Sequence, residues 1–118
     1  MTLFHILHRN TWQAARAAGT YAPESLRVEG FIHFSTDRQL LNTAKRFYRG
    51  QHDLVVISVR EDKLTAELRY EAVHDSQFPH LYGALNVDAV VEAVELPWSD
   101  EHEFVVPEAW VAWSHYFT

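Results

Sequence analysis

Eight histidines in 118 residues raise metal binding as the first chemistry to weigh. No His-Glu-x-x-His pattern is present. His5 and His8 stand three apart on an expected strand, so they point to opposite faces and do not share an ion. His74 and His80 flank an expected loop without a third ligand nearby. The histidines are therefore read as dispersed surface and core residues, and no metal is expected. Ser35 falls between an expected strand and an expected helix, where hydrolase nucleophiles sit. Gly-x-Ser-x-Gly is missing, however, so capping or substrate hydrogen bonding is preferred over nucleophilic attack. Gly19, Gly30, Gly50 and Gly83 are isolated, which removes both the P-loop and the dinucleotide fingerprint. Cysteine is absent, so no thiolate nucleophile, zinc-thiolate site or disulfide is available.

What remains is a set of polar residues on otherwise apolar strands. His5 interrupts a Leu-His-Leu face, and His33 interrupts Phe31-His33-Ser35. Glu71 follows Tyr70 on the charged face of a strand, and Pro79-His80-Leu81-Tyr82-Gly83 sets His80 and Tyr82 on a turn. Taken singly, His5 and His33 read as core histidines satisfied by backbone carbonyls. Glu71 reads as solvated beside Glu67 and Arg69, and His80 with Tyr82 as an aromatic loop folded onto the sheet. Two histidines placed alike on two early strands instead favour a shared cleft.

The elements that must carry these residues follow from periodicity. Leu3–His8 alternates as a strand. Asn10 with Gln13 offers a capping box for a helix over Trp12–Ala18, which Gly19 stops. Phe31–Ser35 is a second strand, and Ser35 or Thr36 caps a helix carrying Leu40, Leu41, Ala44, Phe47 and Tyr48 on one face. Leu54–Val59 is a β-branched run expected of a central strand buried on both faces. Glu67–Val73 alternates as a strand, Phe78–Leu85 reads as a loop around Pro79 and Gly83, and Ala89–Leu96 is assigned to strand by its valines. An edge strand over Phe104–Val106 and a terminal helix from Pro107 through Trp110, Trp113 and Phe117 complete the chain. Helices come early and strands late, so the class is α+β, as one domain over residues 1–118.

Composition bounds the partners. Hydrophobic residues at 47% and charged residues at 22% suit a folded chain rather than a disordered one. A net charge of -6 argues against nucleic acid, and the basic cluster Arg38, Lys45, Arg46 and Arg49 reads as a solvated helix face. No apolar run approaches the roughly 20 residues of a membrane span. The N-terminus has neither a basic region nor a long apolar one, so a cytoplasmic setting is expected.

Leu-Phe-His-Ile (3–6), Glu-Gly-Phe-Ile-His-Phe-Ser (29–35), Tyr-Glu (70–71) and Phe-Pro-His-Leu-Tyr-Gly (78–83) together resemble a bacterial family of small proteins catalogued as domain of unknown function nine-five-two. That family is similar in fold to the ADP-ribosyltransferases, which split NAD at the nicotinamide–ribose bond. The resemblance implies a split β-sheet core with two early helices and a C-terminal helix. It implies that His5 binds ribose hydroxyls, that His33 stacks on nicotinamide, and that Glu71 bonds the nicotinamide ribose and orients the acceptor. Ser35, His80 and Tyr82 join His5 and His33 as ligand-binding residues, with Trp12, Phe34 and Tyr82 as walls. The function expected is binding of a nucleotide-like ligand, NAD, with transfer of its ADP-ribosyl group. The alternative is a non-enzymatic module that binds a small ligand or peptide. A metal-free hydrolase using Ser35 stands third. The oligomeric state is left open.

Overall fold

The computed structural model describes residues 1–105. In chain order the elements are β1 (Thr2–His8), α1 (Arg9–Ala18), β2 (Thr20–Tyr21), α2 (Glu24–Val28), β3 (Ile32–His33), α3 (Leu40–Phe47), β4 (Leu54–Arg60), β5 (Glu67–Val73), β6 (Ser76–Tyr82), β7 (Leu85–Asn86), β8 (Val90–Leu96), β9 (Trp98–Ser99) and β10 (Glu103–Phe104). Among the described residues strands dominate, the α-helices come before β4, and every strand pair is antiparallel. The α+β class follows directly. The terminal helix expected from Pro107 lies outside the described residues, as does Val106 of the expected edge strand.

Two three-stranded sheets organise the molecule, one ordered β1-β4-β8 and the other β3-β6-β5. They meet at one antiparallel bridge, where Phe4 and Ser35 exchange backbone hydrogen bonds of 2.8 Å in both directions. β4 lies in the middle of its sheet and is buried from Leu54 through Val59, as its β-branched run demands. Its two faces feed two cores. Val55, Ile57 and Val59 pack with Leu3, Leu7, Trp12, Ala15, Tyr21, Ile32, Phe34 and Leu81. Leu54 and Val56 pack on the opposite side with Phe4, Ile6, Leu40, Ala44, Leu96 and Phe104.

Local chemistry sets the helix ends. α1 begins at Arg9, ahead of the expected cap at Asn10, and His8 stands at the N-cap without a side-chain bond. Its other end is as expected: Gly19 adopts φ 79° and donates its N–H to the Ala15 carbonyl at 2.8 Å. Short α2 was not legible in periodicity, because it spans five residues and buries none of them. α3 starts at Leu40 without a side-chain cap. Ser35, bridged to Phe4, and Thr36 lie before the turn that leads into it, and the Thr36 N–H donates to Gln39 Oε1 at 3.0 Å.

The stretch from Phe78 departs most from expectation. It is no loop: Ser76–Tyr82 is β6, the middle strand of its sheet. Pro79 is tolerated there because of what it faces. Phe34 N–H donates to the Pro79 carbonyl at 3.0 Å, while the N–H that would answer the Phe34 carbonyl does not exist in proline. The β3–β6 ladder therefore stops at this point, and one residue later the chain turns to β1 at Ser35. Pro79 thus marks the place where the two sheets part.

Candidate functional site

Side chains of directly paired residues share a face of a sheet. Ile32 pairs with Leu81 and Leu68 pairs with Leu81, and this face joins the first core. His33 pairs with His80, His80 with Arg69, and Tyr82 with Glu67, so these polar residues and Glu71 occupy the other face. Phe31, two residues before His33, shares its side and stacks on His80 with ring centroids 4.0 Å apart and 18° between planes. His33 meets His80 edge-on at 5.5 Å, because the two form a pair without mutual backbone hydrogen bonds and their side chains approach closely.

Glu71 is the hub. Its Oε1 accepts from His80 Nδ1 at 2.9 Å and from the Tyr82 hydroxyl at 2.5 Å. The Tyr82 bond, then the His80 bond, hold the Glu71 carboxyl below the usual carboxylate range, and the same bond to Glu71 pushes the Tyr82 hydroxyl up. Glu71 is therefore ionised at neutral pH. Its second oxygen receives no donor from the described residues, and its side chain is 38% exposed. His80 is 5% exposed, roofed by Phe31 and flanked by strands on both sides. Arg69 lies over the Tyr82 ring at 4.4 Å and bonds Glu67 through Nε at 2.8 Å. His33 is exposed and its Nε2 approaches the Glu29 carboxylate at 3.1 Å.

His5 enters differently from the expected convergence. Phe4 shares a face with Ser35, so its neighbour His5 points to the other face, among Leu3, Leu7 and Phe34. The rings of His5 and His33 thus stand on opposite sides where the sheets meet. The link between them is backbone: His5 Nδ1–H donates to the His33 carbonyl at 2.6 Å, and His5 Nε2 accepts from the Tyr21 hydroxyl at 2.8 Å. Carbonyl oxygen only accepts, which fixes this tautomer. Burial lowers the His5 imidazole to about 4, outweighing the bond to the His33 carbonyl, so His5 is neutral. Burial likewise raises the Tyr21 hydroxyl.

The structure therefore gathers His33, Glu71, His80 and Tyr82 on one face and leaves His5 behind it. Ser35 lies outside the cluster: it is buried and its hydroxyl donates to Thr43 Oγ1 at 3.1 Å. Trp12 and Phe34 are core residues rather than walls. Phe31, Glu29 and Arg69 were missed as site residues. Phe31 and Arg69 were legible by strand alternation, each two residues from a named site residue. Tyr21 carried no local signal, since its partner His5 is 16 residues away. Among the described residues no group of three or more His, Asp or Glu side chains could hold a metal ion, and no helix is long and apolar enough to cross a membrane.

The family model described as protein of unknown function (DUF952) matches residues 6–93. Among curated proteins, none matches the chain. The crystal structure of protein CC0527 from Caulobacter crescentus is similar with a TM-score of 0.84 and 31% identity, covering 94% of this chain and 99% of that one. The solution structure of the same protein gives a TM-score of 0.74 and 34% identity, over 86% and 90% of the two chains.

Proposed function

The chain belongs to the DUF952 family, and from the face that carries Glu71 we propose that it binds NAD and transfers its ADP-ribosyl group. One observation carries this reading: the Glu71 carboxylate is kept ionised by two donors on Oε1, with its other oxygen without a donor among the described residues and aromatic rings around it. NAD presents a positively charged, flat nicotinamide ring. Aromatic surfaces hold such a ring, and the exposed His33 imidazole beside Phe31 offers one.

The step is balanced as follows. The bond between nicotinamide nitrogen and ribose C1′ breaks, and its electron pair neutralises the departing ring. The ribose becomes oxocarbenium-like, and a nearby fixed carboxylate lowers the energy of that cation. An acceptor then donates an electron pair to C1′ and loses its proton. Stacking of the leaving ring on His33 contributes positioning. Two sheets that part beside Pro79 and meet at one bridge agree with a split-sheet ADP-ribosyltransferase-like core. In this reading His5 does not touch ribose, since both its ring nitrogens already have protein partners. It holds the backbone of His33 instead.

Isothermal titration with NAD and ADP-ribose, paired with nicotinamide release, tests the reading. The expected result is binding heat for NAD, with Glu71→Gln keeping affinity and losing release. No heat for either nucleotide at millimolar concentration, from folded protein, overturns it. Binding by the unaltered protein without any release points to the non-enzymatic module.

A further inference from the structure

The second ring nitrogen of His80 has no part in the chemistry so far. Nδ1 faces an ionised carboxylate, which only accepts, so Nδ1 carries the hydrogen and Nε2 has a free lone pair in the neutral ring. Nε2 lies toward the tip of the ring, away from the backbone, and no described residue bonds it. The side chain is only 7% exposed. A buried acceptor without a partner among the described residues calls for a donor from solvent or ligand. A carboxylate that fixes the tautomer of an imidazole whose other nitrogen faces a reacting proton is the recurring arrangement of a general base.

We propose that His80, oriented by Glu71, is the general base of this site, and that the acceptor is accordingly a neutral hydroxyl: water or an alcohol. The inference rests on the NAD reading and names the acceptor class within it. As the acceptor oxygen bonds to C1′, its proton passes to His80 Nε2, and the pair of the broken C1′–N bond leaves on nicotinamide. The imidazolium formed is stabilised by Glu71 at 2.9 Å. Oε1 thus serves the base while the open oxygen faces the ribose, so one carboxylate supports both halves of the transfer. Phe31 stacked on the ring keeps bulk water from its face and fixes its plane. An acceptor that is already anionic would need no base here.

The test measures nicotinamide release from NAD by the unaltered protein and by His80→Gln, with water alone and with added azide. Glutamine can still donate to Glu71 but has no basic nitrogen. The expected result is an NAD affinity held within about threefold, release into water lowered by about 100-fold or more, and release restored by azide, which attacks without losing a proton. Release into water that survives the substitution overturns the proposal. So does a loss that azide does not repair, which marks His80 as structural. A second measurement needs neither turnover nor the variant. Nitrogen NMR of the unaltered protein, read in the neutral form of the ring, should show His80 with Nδ1 protonated and Nε2 bare, and the opposite tautomer overturns the assignment. If NAD does not bind, the preceding reading fails and the acceptor class falls with it, while the tautomer alone still tests the orientation of His80 by Glu71.

Discussion

A single carboxylate decides how the polar face behaves. Glu71 sits on a strand whose neighbours Glu67 and Arg69 pair with each other and look solvated, yet it bonds two partners across the strand. Removing one partner should show in its titration. Tyr82→Phe takes away the largest contribution, so the Glu71 pKa should rise toward the ordinary Glu value of about 4.3, read by carboxyl carbon NMR. An unchanged midpoint would mean that His80 alone holds the carboxylate. His5 makes a different prediction. Its folded pKa of about 4 lies below the ordinary 6.5, so between these values the unfolded chain binds more protons. Stability from this residue is therefore full above pH 6.5 and is lost as pH falls toward 4, by about 2 to 3 kcal/mol. Denaturant unfolding at several pH values should show that slope in the unaltered protein and a shallower one in His5→Phe. Equal slopes would place the His5 ring in water.

At the level of elements, β6 is held by constraints that its own residues do not advertise. Gly83, just past its end, has φ 157°, and a Cβ there would stand 2.7 Å from Ala66 Cβ. Gly83→Ala should cost about 1 to 3 kcal/mol in thermal or denaturant unfolding, since either backbone must move. A neutral result would show that the β5 entry yields freely. Pro79 and Gly83 are turn formers by local preference, which is why this stretch reads as a loop. Pairing on both sides overrides that preference. β5 and β3 satisfy the backbone of β6, and the missing proline N–H falls where β3 leaves to join β1. α3 is anchored to the same region, with Gln39 Nε2 donating to Ser76 Oγ and to the Gln77 carbonyl, each at 2.8 Å. The helix and the hairpin that carries His80 and Glu71 are thereby fixed to one another.

Across the whole molecule, β4 is the element on which both cores depend. Ile57 is fully buried in the first core, while its neighbour Val56 is buried in the second. Ile57→Ala should cost about 2 to 5 kcal/mol, visible as a lowered denaturant midpoint with an unchanged slope. A loss below about 1 kcal/mol would mean that the cavity collapses and that the two layers are less tightly coupled than their packing suggests. The polar cluster stays outside this core. It lies at the far end of the joined sheets from β8, the outer strand of its sheet among the described residues.

Alternation and β-branching were enough to assign β1, β4, β5 and β8 and the α+β class, because those signals are local and each strand buries a regular face. His33, Glu71, His80 and Tyr82 were also named one by one, although alone Glu71 read as solvated and His80 with Tyr82 as part of a loop. Their grouping was not legible. Whether His5 and His33 face each other depends on one backbone bridge between positions 31 apart in the chain, which places their rings on opposite sides. The union of Glu71 with His80 and Tyr82 depends on the register of a hairpin, and a shift of one residue would have turned every one of those side chains to the other face. Chain chemistry set which groups are present; long-range pairing, settled only by packing, set which of them meet.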